Sequence, residues 1–300
     1  MSEIKRLRVY LEAPMLETAR AGTFNFLNQV KAAVTEAGWE LEWRETGAIA
    51  RNEAPAESGY ALFHAEAPTH ARALSFRRAY FYPFWQIEPH QQRWRFHVAT
   101  ETFAPQEHAV QEAESFTAKL RARVAPGKTA SRGNFVLIPL QGRIRICRSF
   151  QTMSPIDMVA AVAETGRPAI ATLHPGEDYS SRDREALDEL AARFPNLTIG
   201  GQTAALLPEC AFVATQNSAA AFEGFLFDKP AVLFGQSDFH HIALNVAELG
   251  AAQALALAPH YRPDFALYLF WFLRRMAVNA TAPDATEQIR TAMRRGGWPI

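Results

Sequence analysis

Residues 135–140, Phe-Val-Leu-Ile-Pro-Leu, form an unbroken apolar run. A strand that is apolar at every position has both faces buried. That arises where helices cover both sides of a parallel sheet. Similar short runs follow at 169–173, 197–199, 212–215 and 231–234. Helix signals lie between them. Ser154-Pro155 opens one helix, with Ser as N-cap and Pro in the first turn, that runs to about Thr165. A charged amphipathic helix spans 182–194, and another opens at Ser218 and runs to Phe227. This alternation predicts an α/β fold with a parallel sheet and helices on both faces, whose ligands bind at the carboxyl ends of the strands.

The first part of the chain reads as a second, smaller α/β unit. Strands are expected at 8–11, 41–43 and 60–63, and a helix at 19–37 that stops at Gly38. Residues 79–87 are aromatic and strand-like, with Pro83 marking an edge or a break. A helix is expected over 106–124. Residues 125–134, rich in Pro, Gly, Ser and Lys without apolar periodicity, read as a linker. The expected organisation is an N-terminal lobe at 1–125, a C-terminal lobe at 135–262, and helices at 263–300 that return to the first lobe. Residues 263–279 are apolar nearly all the way round, so they read as one buried helix, capped by Asp264 and ended by Arg274 and Arg275.

Charge narrows the function classes. Lys plus Arg number 31 and Asp plus Glu 31, a balance that gives no support for nucleic acid as a partner. The arginines, among them Arg77, Arg78, Arg93, Arg95, Arg143, Arg145 and Arg148, still offer local anion-binding surface. Cys147 and Cys210 stand far apart in apolar surroundings and read as two buried thiols in a reducing compartment. The chain begins with a strand-like run and no signal-type apolar segment. Its most apolar stretch, 265–273, is shorter than the roughly 20 residues that a membrane span needs. The expected location is the cytoplasm, with a peripheral contact at the inner face of the plasma membrane left open.

Two segments have the makings of a site. The first is His174-Pro175-Gly176, which follows the strand at 169–173. An imidazole at a strand's carboxyl end can donate to a phosphate oxygen or carry a proton to a leaving phosphate. The same triplet also serves as an ordinary turn. The second runs from Thr215 through Gln216, Asn217, Ser218 and Ala219 to Glu223, from a buried strand into a helix. Small residues and free N–H groups at a helix start suit a phosphate. The Ser218 hydroxyl adds a donor, and Glu223 can accept both hydroxyls of a ribose. Read blandly, Ser218 is only an N-cap and Glu223 a solvated helix residue. Glu223 sits among Phe222, Phe225 and Leu226, however, a poor place for an idle charge.

The pieces FVLIPLQ (135–141), MSPIDMV (153–159), TLHPGE (172–177), TQNSAAAFEGFLFDKPAVLFG (215–235) and Asp238-Phe239-His240 occur in one order with a consistent spacing. Residues 135–235, about a third of the chain, resemble the C-terminal half of the bacterial capsule polysaccharide proteins that transfer Kdo. The His-Pro motif also resembles that of bacterial sialyltransferases, which use the same CMP-activated donors. The resemblance implies a B-type glycosyltransferase (GT-B-like): two Rossmann-like lobes, the nucleotide-sugar donor on the C-terminal lobe, and a glycan or glycolipid acceptor on the N-terminal one. It places His174, Pro175, Gly176 and Ser218 at the donor phosphate, with Asn217 and Ala219 beside them, Glu223 at the ribose, and Gln141 facing the cleft. The donor is a substrate, and no cofactor is implied.

Some positions depart from that pattern. Thr172 stands where the family has lysine. The N-terminal half echoes the family only at Gly22-Thr23-Phe24-Asn25 and in the run from Phe84 to Glu88, and Glu88 is the candidate catalytic base. No DxD-type acidic pair lies in a suitable loop, which suggests metal-independent chemistry. His240 and His241 are adjacent and are expected to diverge, so they do not suggest a metal site. The leading expectation is transfer of a sugar, Kdo from CMP-Kdo, in capsule or surface polysaccharide synthesis. The alternatives are a non-catalytic glycan- or nucleotide-binding component of an assembly or export complex, and a nucleotide-sugar epimerase of the same fold.

Overall fold

In the computed structural model, which describes residues 5–105 and 107–300, the twelve strands divide between two six-stranded sheets. The chain forms two units, one of residues 1–101 and 272–300 and one of residues 102–271. The expected linker at 125–134 therefore falls inside the C-terminal unit. Its main chain is irregular but tied down there: Ser131 N–H donates to Pro208 O and Gly133 N–H to Glu209 O, at 3.0 and 2.7 Å.

The N-terminal sheet contains β1 (Arg6–Leu11), β2 (Glu40–Glu45), β3 (Tyr60–His64), β4 (Ala73–Arg78), β5 (Phe84–Glu88) and the chain's last strand, β12 (Val278–Asn279). Their order is β12-β5-β4-β3-β1-β2. The first four strands pair in parallel, while β5 runs antiparallel to both β4 and β12. The helix expected at 19–37 is two helices, Ala13–Arg20 and Asn25–Glu36, broken where Gly22 takes a φ of +68°. The second buries Phe26, Leu27, Val30, Ala33 and Val34, the single stripe of an amphipathic helix. Phe26 stacks on Trp85 with ring centroids 4.5 Å apart.

The C-terminal sheet contains β6 (Val136–Pro139), β7 (Ala169–Thr172), β8 (Leu197–Ile199), β9 (Phe212–Thr215), β10 (Ala231–Leu233) and β11 (Leu244–Asn245). All of its pairs are parallel. Counting from β6, the order β8-β7-β6-β9-β10-β11 is the 3-2-1-4-5-6 arrangement of dinucleotide-binding sheets. The four residues of β6 are all buried, as the apolar run requires. Ser154 caps the helix Pro155–Ala163, its hydroxyl accepting the Asp157 N–H. Ser180 and Asp183 form a capping box at the start of Ser181–Arg193.

The segment expected as one helix at 263–279 is broken into three parts. Phe265–Phe270 is a short helix packed on Val110–Val124 within the C-terminal unit, with Phe116 and Phe270 edge to face at 5.7 Å. Trp271–Arg275 is a wider turn, and β12 follows it into the other sheet. Phe265, Leu267, Tyr268, Leu269 and Phe270 are all buried, which accounts for a helix apolar on every side. The helix expected over 106–124 spans Val110–Val124, and its expected start at Gln106 lies outside the described residues. Among the described residues, no helix is long and apolar enough to cross a membrane.

Candidate nucleotide site of the C-terminal unit

The order of the C-terminal sheet reverses between β6 and β9. In open α/β sheets a crevice forms at such a switch, outside the carboxyl ends of the strands. Here the two ends are tied together. The Thr215 hydroxyl donates to Pro139 O at 3.2 Å and accepts the Ser218 N–H at 3.4 Å. Gln141 lies two residues beyond β6, half-buried, and Asn217 and Ser218 follow β9. Asn217 donates to Gln236 O at 3.0 Å, which pins the loop after β9 to the loop after β10.

His174 lies beyond the carboxyl end of β7, the neighbour of β6. Residues 174–177 make a turn in which Pro175 occupies the second position and the Glu177 N–H donates to His174 O at 3.2 Å. The ring is fixed by its own loop, since the Gly176 N–H donates to Nδ1 at 3.1 Å. A nitrogen that accepts has no proton, so the neutral ring carries its proton on Nε2. The side chain is exposed, and this Nε2–H is available to a ligand. Gly176 suits this arrangement, because a Cβ there would lie 3.2 Å from Cε1 of the imidazole and the ring would have to give by a few tenths of an ångström. The His174 N–H donates to the Tyr179 hydroxyl at 3.0 Å, and burial pushes that phenol above its ordinary range. The carboxyl of Glu177 rests on the Gly142 main chain where a Cβ would collide, so the loops after β6 and β7 touch. A cavity of about 390 Å³ opens beside them, with Arg143, Arg145 and Tyr179 in its wall.

Ser218 caps the helix Ala219–Gly224, its hydroxyl oxygen accepting the Ala220 N–H at 3.3 Å. The hydroxyl proton remains available to a ligand. Ala219 is exposed at the first helical position. Glu223 also reaches solvent, yet crowding by surrounding protein pushes its carboxyl above the ordinary range, with Lys128 pulling the other way. A folded value above the roughly 4.3 of an unfolded Glu means that the folded chain holds this proton more tightly. The contribution to stability is present below the unfolded pKa and is lost as pH rises through the folded one. Glu223→Gln is therefore expected to raise Tm at about pH 7, with the gain vanishing near pH 4. Thermal melts at the two pH values check this, and a loss of stability at neutral pH would contradict the sign.

Two expected features sit elsewhere. Glu88 belongs to the N-terminal unit, at the end of the antiparallel β5 and opposite Ser75, in the amino-terminal half of β4. It is 2% exposed, accepts the His97 N–H at 3.1 Å and pairs with Arg295 at 3.5 Å. This puts Glu88 in an ion pair, away from the carboxyl edge of the parallel strands. Thr172 is buried, its hydroxyl bonded to that of Thr203 at 2.6 Å, so it offers a phosphate nothing. Arg148 is a half-buried cation close to the His174 loop. The sequence marked it only as one arginine among several. Its guanidinium lies 4.8 Å over the Phe150 ring, and Nε is buried without a partner among the described residues. Burial, with Arg143 adding to it, lowers its pKa, while Glu177 on the His174 loop raises it. The neighbouring residues Gln151 and Gly235 form a bridge that brings this segment to the strand ends.

Two other expectations are corrected. Cys147 is exposed and only Cys210 is buried; both thiols are free, and burial pushes that of Cys210 up to about 12. The rings of His240 and His241 do not diverge but stack at 4.1 Å, because the tight turn His240–Ile242 folds them together.

No protein-family model matches this sequence, and no curated protein does. Among solved structures, KpsC, the β-Kdo 2,7-transferase of Thermosulfurimonas dismutans, aligns over 98% of this chain and 100% of its own, with a TM-score of 0.54 at 10% identity. The UDP-GlcNAc 2-epimerase of Methanocaldococcus jannaschii, in complex with UDP-GlcNAc and UDP, aligns over 97% and 99%, with a TM-score of 0.34 at 10% identity. For the E. coli heptosyltransferase WaaC with ADP the figures are 96%, 99%, 0.26 and 12%. The last two scores are too low to carry an argument. The first, at such low identity, is a likeness of fold alone: an α/β protein of two Rossmann-like units, GT-B-like.

Proposed function

We propose that this chain is a glycosyltransferase of capsule or surface polysaccharide synthesis. In this reading it moves a sugar, Kdo from CMP-Kdo, to a glycan or glycolipid acceptor. The observation that carries the reading is the imidazole of His174, locked by Gly176 with Nε2–H exposed, beside the switch point of a 3-2-1-4-5-6 sheet. The acceptor hydroxyl oxygen bonds to the anomeric carbon and gives its proton up to water or a base, while the bond from that carbon to the donor phosphate oxygen breaks and its electron pair stays on the phosphate. His174 Nε2–H, the Ser218 hydroxyl and the N–H groups before Ala220 stabilise the new charge. Arg148 supplies the cation that Thr172 does not. The reading assigns charge stabilisation to these protein groups rather than to a metal ion, and Gln141, Asn217, Ala219 and Glu223 to holding the nucleotide. A lipid-linked acceptor would bring the protein to a membrane surface.

The second reading, a nucleotide- or glycan-binding protein without transferase activity, is favoured by the ion pairing of Glu88, which leaves the acceptor hydroxyl without an identified base. Calorimetry with CMP, UDP and GDP, followed by an assay of nucleotide release, separates the possibilities. Binding of CMP with release in the presence of acceptor supports transfer. CMP binding without release supports the second reading, and UDP binding alone points to an epimerase. Absence of all binding overturns the proposal. Ser218→Leu is expected to abolish nucleotide binding at the cost of one helix cap, about 1 kcal/mol. Normal CMP binding by that variant would remove Ser218 from the site.

A further inference from the structure

The N-terminal unit holds a cavity of about 240 Å³ that the proposed transfer does not use. Its wall includes Gln86, Gln288, Thr291 and the guanidinium-bearing Arg274, Arg275 and Arg295. All of the lining residues belong to the N-terminal unit, whereas His174 and Ser218 belong to the other. The cavity exists because β12 pairs with β5 only at Val278↔Trp85 and Asn279↔Phe84. The chain before Val278 leaves the sheet, so the edge of β5 is open at Gln86 and Ile87. Arg295 partly fills the gap, its Nη2 3.4 Å from Ile87 O and 3.5 Å from the carboxylate of Glu88.

Two independent features point to an anionic ligand. Gln86 is 1% exposed, and its Nε2 has no hydrogen-bond partner among the described residues. A buried amide donor without an acceptor is uncommon, and it calls for one from a molecule in the cavity. The second feature is charge. Three guanidiniums face one cavity whose lining contains no acid. Glu88 behind Arg295 is a neighbouring carboxylate, and Glu101, which also acts on Arg295, is paired with His97 at 3.3 Å. A phosphate ester dianion provides three oxygens for bidentate guanidinium contacts and for the Gln86 amide.

We propose that this cavity is a binding site for a phosphate monoester, held by Arg274, Arg275 and Arg295 with Gln86 as the buried donor. The test is calorimetry on the full chain with methyl phosphate at about pH 8, above a phosphate ester's second ionisation near 6. Saturable binding is expected. It should weaken about tenfold or more in the double variant Arg274→Gln/Arg275→Gln, whose side chains are exposed and whose fold is checked by its melting curve. Gln86→Met, which keeps the shape and removes the donor, should weaken it severalfold. Ser218→Leu should leave it unchanged. Three results would overturn the assignment: no saturable binding, equal affinity in the double variant, or loss of binding in Ser218→Leu instead. Acetate binding as tightly as methyl phosphate would overturn the choice of a dianion.

Discussion

His174→Ala is expected to slow nucleotide release from the donor sugar by about 10²-fold or more, with the acceptor KM changed little. The effect should fall on turnover because the imidazole donor is held in place before the reaction begins. Nδ1 is occupied by the Gly176 N–H, the turn at Pro175 fixes the backbone, and a Cβ at residue 176 would crowd the ring. A donor already aimed at a developing charge costs no reorganisation during the reaction, and alanine leaves water to take its place. Gly176→Ala should reproduce part of the loss without touching the imidazole, since its added methyl would press against the ring. Steady-state release of CMP at saturating donor and acceptor measures both variants. An unchanged rate in His174→Ala would reduce the residue to a turn former.

How much of this was legible in the sequence differs between the two units for a physical reason. In the C-terminal unit β6 is buried on both faces, so every residue of it is apolar and the strand is plain. The Ser154 and Ser180 caps have local chemistry that a sequence displays. In the N-terminal sheet β4 is Ala-Leu-Ser-Phe-Arg-Arg, with Leu74 and Phe76 in the core and Ser75 and Arg77 on the other face. Its alternation is short and was not read as a strand. β12 and β11 have only two residues each, and tertiary pairing defines them rather than any local pattern. The apolar character of 265–273 was visible, but the change from helix to wide turn at Trp271 was not. No spacing rule states which unit each half of that segment joins.

Site residues followed the same division. The placement of His174, Asn217 and Ser218 at carboxyl ends of the parallel strands was legible from the strand runs that precede them, which is why they remain candidates. The position of Glu88 was not legible, because the direction of its strand is not written locally. The antiparallel pairing with β4 turns its carboxylate away from the edge where a base is needed. Arg148 was one arginine among many until the bridge between Gln151 and Gly235 placed its loop at the strand ends.

Deleting residues 272–300 is expected to unfold the N-terminal unit and leave residues 107–271 folded. The deletion removes β12 and the helix Ala285–Arg295, which buries Ile289, Ala292 and Met293 in the core formed by Phe26, Leu74, Trp85 and Ile87. Trp298 is lost with them. It is 2% exposed, and its ring lies 6.1 Å from Trp39 and 5.1 Å from Tyr60. The hydrogen bond from Asn25 to Ala280 O, 2.7 Å, disappears as well. Truncating one buried Ile, Met or Trp to alanine typically costs about 2–5 kcal/mol. Losing three such side chains together would exceed most of a domain's total stability of roughly 5–15 kcal/mol. The C-terminal unit loses none of its own core residues, because Phe265–Phe270 and its packing against Val110–Val124 remain. Hydrogen exchange read by mass spectrometry separates the two units in one experiment: peptides from 5–101 should exchange as an unfolded chain, while those from 135–235 stay protected. If residues 5–101 keep their protection and the shortened protein merely leaves the membrane fraction, the segment is a peripheral anchor and not part of the N-terminal core.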